Sequence, residues 1–251
     1  MRVSTESDRV YLQQHQGRIA ETLALLGRHE QSGVALELGS YLHMAWLMER
    51  EFRFDEVHCA GLGAAGDYLE KVLQMDEEPP YRKKVRLFNV ERDRFPYDDE
   101  SMDVVLACEI IEHLAHDPLH MLREIRRVLR QDGLLILTTP NSSSLTSLAN
   151  ILYQVSNPYV YSQYPPRQSA ESGHIREFVP REMQTLLTYA GLAIVEEYTT
   201  FIDHSDRTHA SVRAMLEAWN LPLGLRGEQY FVAARRASSG GLPDYPTAIF
   251  S

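Results

Sequence analysis

The sequence predicts an α/β fold: a Rossmann-like, seven-stranded, mostly parallel sheet with helices on both faces and a C-terminal antiparallel strand pair. Three observations lead there. Short apolar runs alternate with helical patterns as far as Pro140, the arrangement of right-handed βαβ units. The first run, Val34-Ala-Leu-Glu-Leu-Gly-Ser40, is short and apolar and closes on Glu37, Gly39 and Ser40, as a central strand buried on both faces would. Two late runs, Ala193–Tyr198 and Gln229–Ala234, alternate or stay apolar across a polar gap and read as a terminal strand pair.

Each element follows from local pattern. Leu12, Ile19, Leu23 and Leu26 share one face of a helix over Val10–Arg28, with Gly27 near its end. Val34 opens strand one. A helix follows Ser40 and runs to about Phe52. Val57–Ala60 is strand two. Tyr68–Met75 reads as a helix, broken by Pro79-Pro80. Val85–Asn89 is strand three and Met102–Cys108 strand four. Leu119, Leu122, Ile125, Val128 and Leu129 form the buried stripe of a helix over Pro118–Arg130. Leu134–Thr138 is strand five. Ser142-Ser-Ser144 can cap a helix from Leu145 to Val155. Pro180–Ala190 begins with proline in its first turn and stops at Gly191. A further helix lies around Val212–Trp219.

The domain layout expected is an N-terminal helical segment over 1–32, an α/β domain over 33–236, and a flexible tail over 237–251, rich in serine, glycine and proline. Residues 141–173 read as an excursion over the sheet's carboxyl edge. Tyr153, Tyr159, Tyr161 and Tyr164 crowd there around three prolines. The stretch could cover a substrate, form a homodimer contact or act as an apolar lid.

Composition narrows the function. The 251 residues carry a net charge of −10, which argues against a nucleic-acid phosphate track. The arginines at 123, 126, 127 and 130 have the spacing of a solvated helix face. No apolar run is long enough for a membrane span, and the polar N-terminus lacks a signal-peptide core. Cys59 and Cys108 read as buried thiols in the reducing cytoplasm, not as a disulfide. No metal site is expected, because the sequence clusters too few ligands.

The glycine at the end of strand one lets the chain turn toward a helix, and in open α/β sheets ligands bind in the crevice beyond the strands' carboxyl ends. The element order resembles that of class I S-adenosylmethionine-dependent methyltransferases. The segment from Phe95-Pro-Tyr-Asp-Asp-Glu-Ser through Glu109-Ile-Ile-Glu-His-Leu114, the later Thr139-Pro-Asn141, and Gly173-His-Ile-Arg-Glu-Phe178 carry the resemblance, which extends over roughly Val34–Arg236. It implies S-adenosylmethionine as cofactor. Glu37, Gly39, Ser40 and Tyr41 would then lie at the methionine end. Gly61 stands where the family tends to carry an acid for the ribose, with Leu62 as the other alignment. Asn89 and Val90 would hold adenine, and Cys108 and Glu109 would line the transfer channel.

Three departures stand out. Tyr41 and His43 follow Gly39 where the family usually has further glycines, so Tyr41 is expected to place its ring where cofactor lies unless it swings away. Gly61 offers no side-chain acceptor. Asn89 equally suits a turn role. His113 and His174 are the candidates for a base that would assist a hydroxyl acceptor, each with a structural role as the alternative.

Two functions follow. One is a cytoplasmic methyltransferase acting on a small-molecule or glycan acceptor, O-methylation being preferred. The other is an inactive methyltransferase fold serving as a binding or scaffolding subunit, with Tyr41, His43 and Gly61 having disabled cofactor capture. A glycosidase carboxylate pair is disfavoured, because Glu109 and Glu112 lie in one turn. A nicotinamide enzyme is disfavoured by the absence of Gly-x-Gly-x-x-Gly.

Overall fold

The computed structural model describes residues 3–29, 32–155, 173–201 and 206–237. Its centre is an eight-stranded sheet in the order β3-β4-β2-β1-β5-β6-β8-β7. The strands are β1 (Gly33–Glu37), β2 (Phe54–Gly61), β3 (Tyr68–Leu73), β4 (Tyr81–Leu87), β5 (Met102–Cys108), β6 (Leu129–Pro140), β7 (Leu192–Thr200) and β8 (Gln229–Arg236). Pairing is parallel through β4, β2, β1, β5 and β6. It is antiparallel at both ends, where β3 meets β4 and where β8 joins β6 to β7.

The eighth strand corrects the sequence reading of Tyr68–Met75 as a helix. Its apolar residues fit either period. Pairing decides: Tyr68 stands opposite Arg86 and Leu73 opposite Tyr81, and the Lys84 ammonium lies 4.1 Å above the Tyr68 ring. Pro79-Pro80 is therefore in the connection between two strands of a hairpin.

The central strands bury both faces, and alternate residues feed two cores. Leu36, Val105, Leu135, Leu137 and Val232 face one core, together with α3 (Pro118–Val128) and α5 (Pro180–Tyr189). Ala35, Val104, Leu106, Ile136 and Phe231 face the other, together with α1 (Glu6–Arg28) and α2 (His43–Glu51). Thus α1 packs into the same core as the sheet through Ile19, Leu25 and Leu26. On α3, Leu119, Leu122, Ile125 and Val128 are fully buried, each contributing roughly 1.5–3 kcal/mol of apolar burial. Asp117 caps that helix by accepting the Leu119 amide at 2.9 Å, ahead of Pro118 in its first turn.

Outside these cores, α4 (Leu145–Leu152) packs on α6 (Asp206–Ala218) through Leu145, Ala149, Val212 and Leu216. Among the described residues no helix is long and apolar enough to cross a membrane. Tyr159, Tyr161 and Tyr164, most of the 141–173 excursion, and nearly all of the 237–251 tail lie outside the described residues.

Candidate active site

The carboxyl ends of β1, β2, β4 and β5 form one edge. At β1, Gly39 adopts φ +65°, and a Cβ there would meet Ile110 Cδ1 at 3.2 Å. Glycine is thus favoured by the left-handed backbone and by the close approach of the Ile110 side chain. The residue after the turn, Leu42, is also left-handed and gives α2 no side-chain cap. Glu37 fills that role from the strand. Its Oε2 accepts the Ser40 hydroxyl at 2.6 Å and the Ala45 amide, in the first turn of α2, at 3.2 Å. Burial pushes the Glu37 carboxyl up to about 7, against those two hydrogen bonds and the nearby Lys71 charge. Ser40 is itself buried; its hydroxyl also accepts the Leu42 amide at 3.1 Å.

Tyr41 turns its side chain toward α1 and β3. The residue is 56% exposed, and its ring lies stacked 5.3 Å from Tyr11 of α1 and 5.2 Å from the Lys71 ammonium. Lys71, on the unforeseen strand β3, also donates to the Ser40 carbonyl at 2.8 Å. His43 is buried as the first residue of α2, stacked 5.1 Å from Tyr11 and 3.3 Å from the Asp8 carboxylate. Both residues that looked obstructive are held by the N-terminal helix.

The remaining cofactor-side positions divide. Gly61 ends β2 opposite Leu87; a Cβ on it would touch Val85 and Leu87 at 3.3 and 3.4 Å. Its place is inside the strand pair, whereas Leu62 is exposed. Asn89 Oδ1 accepts the Glu91 amide at 2.9 Å, and the Asn89 carbonyl accepts the Asp93 amide at 2.9 Å. That is an Asx turn, the structural alternative weighed for this residue. Val90 follows it, half-buried.

Cys59 in β2 and Cys108 at the end of β5 are both free thiols. Burial and the neighbouring Glu109 charge push the Cys108 thiol up to about 12, so it stays neutral. Glu109 takes a left-handed φ of 54°. One oxygen accepts from Thr138 Oγ1 at 2.7 Å and Gln229 Nε2 at 2.6 Å; the other meets the Arg18 guanidinium at 2.8 Å. Sequence reasoning missed Arg18, because the polar face of an N-terminal helix carries no mark of a buried partner.

Beyond Glu109 the 3-10 turn Ile111–His113 turns the chain inward. Glu112 is fully buried. Its Oε2 accepts the Thr139 hydroxyl at 3.0 Å, while its Oε1 has no hydrogen-bond partner among the described residues. Burial, then the Glu109 charge, hold this carboxyl well above the usual range. The Glu112 carbonyl accepts the amides of Ile175 and Arg176 at 2.8 and 3.1 Å, which brings the Gly173–Phe178 segment alongside. His113 Nδ1 lies 3.0 Å from the Gly173 carbonyl, and its Nε2 lies 3.9 Å from Glu112 Oε1. His174 Nδ1 lies 2.8 Å from Glu177 Oε1. The two imidazoles meet edge to face at 5.1 Å. Burial lowers the His113 pKa, which favours its neutral form.

A methyltransferase domain profile matches residues 11–197 of this chain. The chain belongs to the class I S-adenosylmethionine-dependent methyltransferase family. It is 41% identical over 58 residues to a Mycobacterium tuberculosis protein named a "probable S-adenosylmethionine-dependent methyltransferase", over 23% of this chain and 21% of that one. The match therefore spans about a fifth of the curated relative's length. An Archaeoglobus fulgidus SAM-dependent methyltransferase superposes with TM-score 0.55 at 16% identity, covering 90% of this chain and 99% of that one. The Burkholderia thailandensis 1,6-didemethyltoxoflavin-N1-methyltransferase, solved with S-adenosylhomocysteine, superposes with TM-score 0.53 at 17% identity over 92% and 87%. These likenesses show the methyltransferase fold.

Proposed function

We propose that this protein is an enzyme that binds S-adenosylmethionine and transfers its methyl group to a hydroxyl of a small-molecule or glycan acceptor. The observation that carries the reading is the position of Tyr41: its ring leans on Tyr11 and Lys71, so the exposed backbone at Gly39 is not covered by it. With that ring aside, Gly39, the Asn89–Val90 turn and the Cys108–Glu109 turn line the cofactor crevice.

The cofactor supplies a methyl group activated on a sulfonium. The chain's own residues then have three tasks. Glu37 keeps the β1 turn and the N-terminus of α2 in place, which leaves backbone donors for a carboxylate. Glu109, held by Arg18, Thr138 and Gln229, presents a fixed negative charge beside the channel. His113 and His174 stand on the acceptor side, where the His113 imidazole, kept neutral by burial, can take the hydroxyl proton. Alignment contributes more than acid–base strength to such a displacement. Gly61 leaves the ribose without a carboxylate partner, so affinity for cofactor is expected in the micromolar range.

The inactive-scaffold reading has no support left from Tyr41 or His43, since α1 holds both. Titration calorimetry with S-adenosylhomocysteine tests the proposal: micromolar binding is expected, and silence at millimolar ligand would sink it. Transfer of label from methyl-labelled cofactor to a panel of phenols, sugars and amines then decides the acceptor class.

A further inference from the structure

We propose that Glu112, His113 and His174 form a binding site for one divalent transition-metal cation, of the zinc class, at the acceptor side of the crevice. The sequence did not suggest it: the donors come from two segments far apart in the chain, and only the fold joins them. One ligand atom from each residue lies within 4.8 Å of the others. Donors 2.0–2.2 Å from a shared tetrahedral cation sit roughly 3.3–3.6 Å apart, so the widest pair closes by up to about 1.2–1.5 Å on binding, a movement that rotation of the two part-exposed imidazoles supplies.

Two independent observations point to a ligand there. First, Glu112 is fully buried, and its Oε1, the oxygen nearest His113 Nε2, has no partner. A buried unpartnered carboxylate oxygen is costly, and a cation would satisfy it. Second, both imidazoles have Nδ1 engaged, one at the Gly173 carbonyl and one at the Glu177 carboxylate. A proton held at each Nδ1 leaves each Nε2 with its lone pair. This is the outer-shell arrangement that orients metal-binding histidines, with Glu177 completing a carboxylate–histidine pair. The histidine side chains are 35% and 30% exposed, so a cation has an entry path.

The donor set selects the metal. Two imidazoles and one carboxylate suit zinc and its first-row neighbours, and three protein ligands leave a coordination position open. Magnesium and calcium prefer all-oxygen sets. With both imidazoles on the cation, activation of the acceptor passes from them to the metal, whose open position would lower the pKa of a bound hydroxyl. That last role rests on the methyl-transfer reading; the binding site does not.

The test is zinc uptake by the full-length, chelator-stripped protein, followed by calorimetry or competition with a chromophoric chelator. One zinc per chain is expected. His113→Asn and His174→Asn should each weaken binding at least about tenfold, and Glu177→Gln about 10–100-fold. His116→Ala, with an exposed imidazole near Glu91, should leave it unchanged. Circular dichroism confirms that each variant is folded. Absence of stoichiometric uptake, or uptake indifferent to the His113 and His174 replacements, overturns the proposal. Zinc binding without S-adenosylhomocysteine binding would sink the cofactor reading and leave the metal site standing; the reverse result would sink the metal site alone.

Discussion

Glu37 and Glu112 lie on the same edge of the sheet, and burial raises the pKa of both, yet their surroundings are opposite. Glu37 is answered from within: the Ser40 hydroxyl and the Ala45 amide converge on it. Glu112 is answered on one oxygen only, by Thr139. The contrast separates two meanings of a buried acid. Where the chain supplies the partners, the acid is architecture. Where it leaves an oxygen bare, the acid is reserved for something from outside.

The sharpest way to break that contrast is to remove each charge. Glu37→Ala leaves the Ser40 hydroxyl and the Ala45 amide without their acceptor, at about 1–3 kcal/mol each, so a loss of about 3 kcal/mol is expected in urea unfolding. Glu112→Gln keeps an acceptor for Thr139 and replaces a buried carboxyl whose charged form burial already disfavours, so metal-free stability should change by less than about 1 kcal/mol. Equal losses in the two variants would erase the distinction.

A smaller effect follows from the Glu37 pKa. Folding raises it from 4.5 to about 7, so between those values the native state holds more of this proton than the unfolded chain. The associated stability is therefore full below about pH 4.5 and is lost as pH rises through 7, by roughly 3 kcal/mol. Lys71 opposes the shift. The buried His43 works the other way, because burial lowers its pKa. The readout is thus the difference between wild type and Glu37→Gln at pH 5 and pH 8. The variant should gain relative stability at pH 8, and parallel curves would show that Glu37 ionises freely.

The same two regions explain what could be read from the chain. The strands at Val34, Met102 and Leu134 were legible because burial on both faces writes a continuous apolar run. The helix at Pro118 was legible because a stripe, a cap and a proline agree. The hairpin at Tyr68 was not, since Leu69, Val72 and Leu73 satisfy both periods and β4 makes the choice. The family motifs located the Glu109–His113 turn and His174. They did not reveal that Arg18 pairs with Glu109, or that Glu112 lies beside both imidazoles. Those facts depend on how distant segments meet.

The smallest expected effect concerns Tyr41, the residue that seemed to decide the matter. Tyr41→Gly removes a ring stacked on Tyr11 and facing Lys71, so stability should fall by about 1 kcal/mol. On the proposed reading, affinity for S-adenosylhomocysteine should change by less than about threefold, because the ring leans on Tyr11 and Lys71. The two readouts separate its roles. A tenfold tightening would mean that the ring enters the crevice in solution and that Gly39 is covered when no ligand is bound. A stability loss with affinity intact would make Tyr41 a clasp between α1 and the β1 turn, placing it with Glu37 among the residues whose partners are internal.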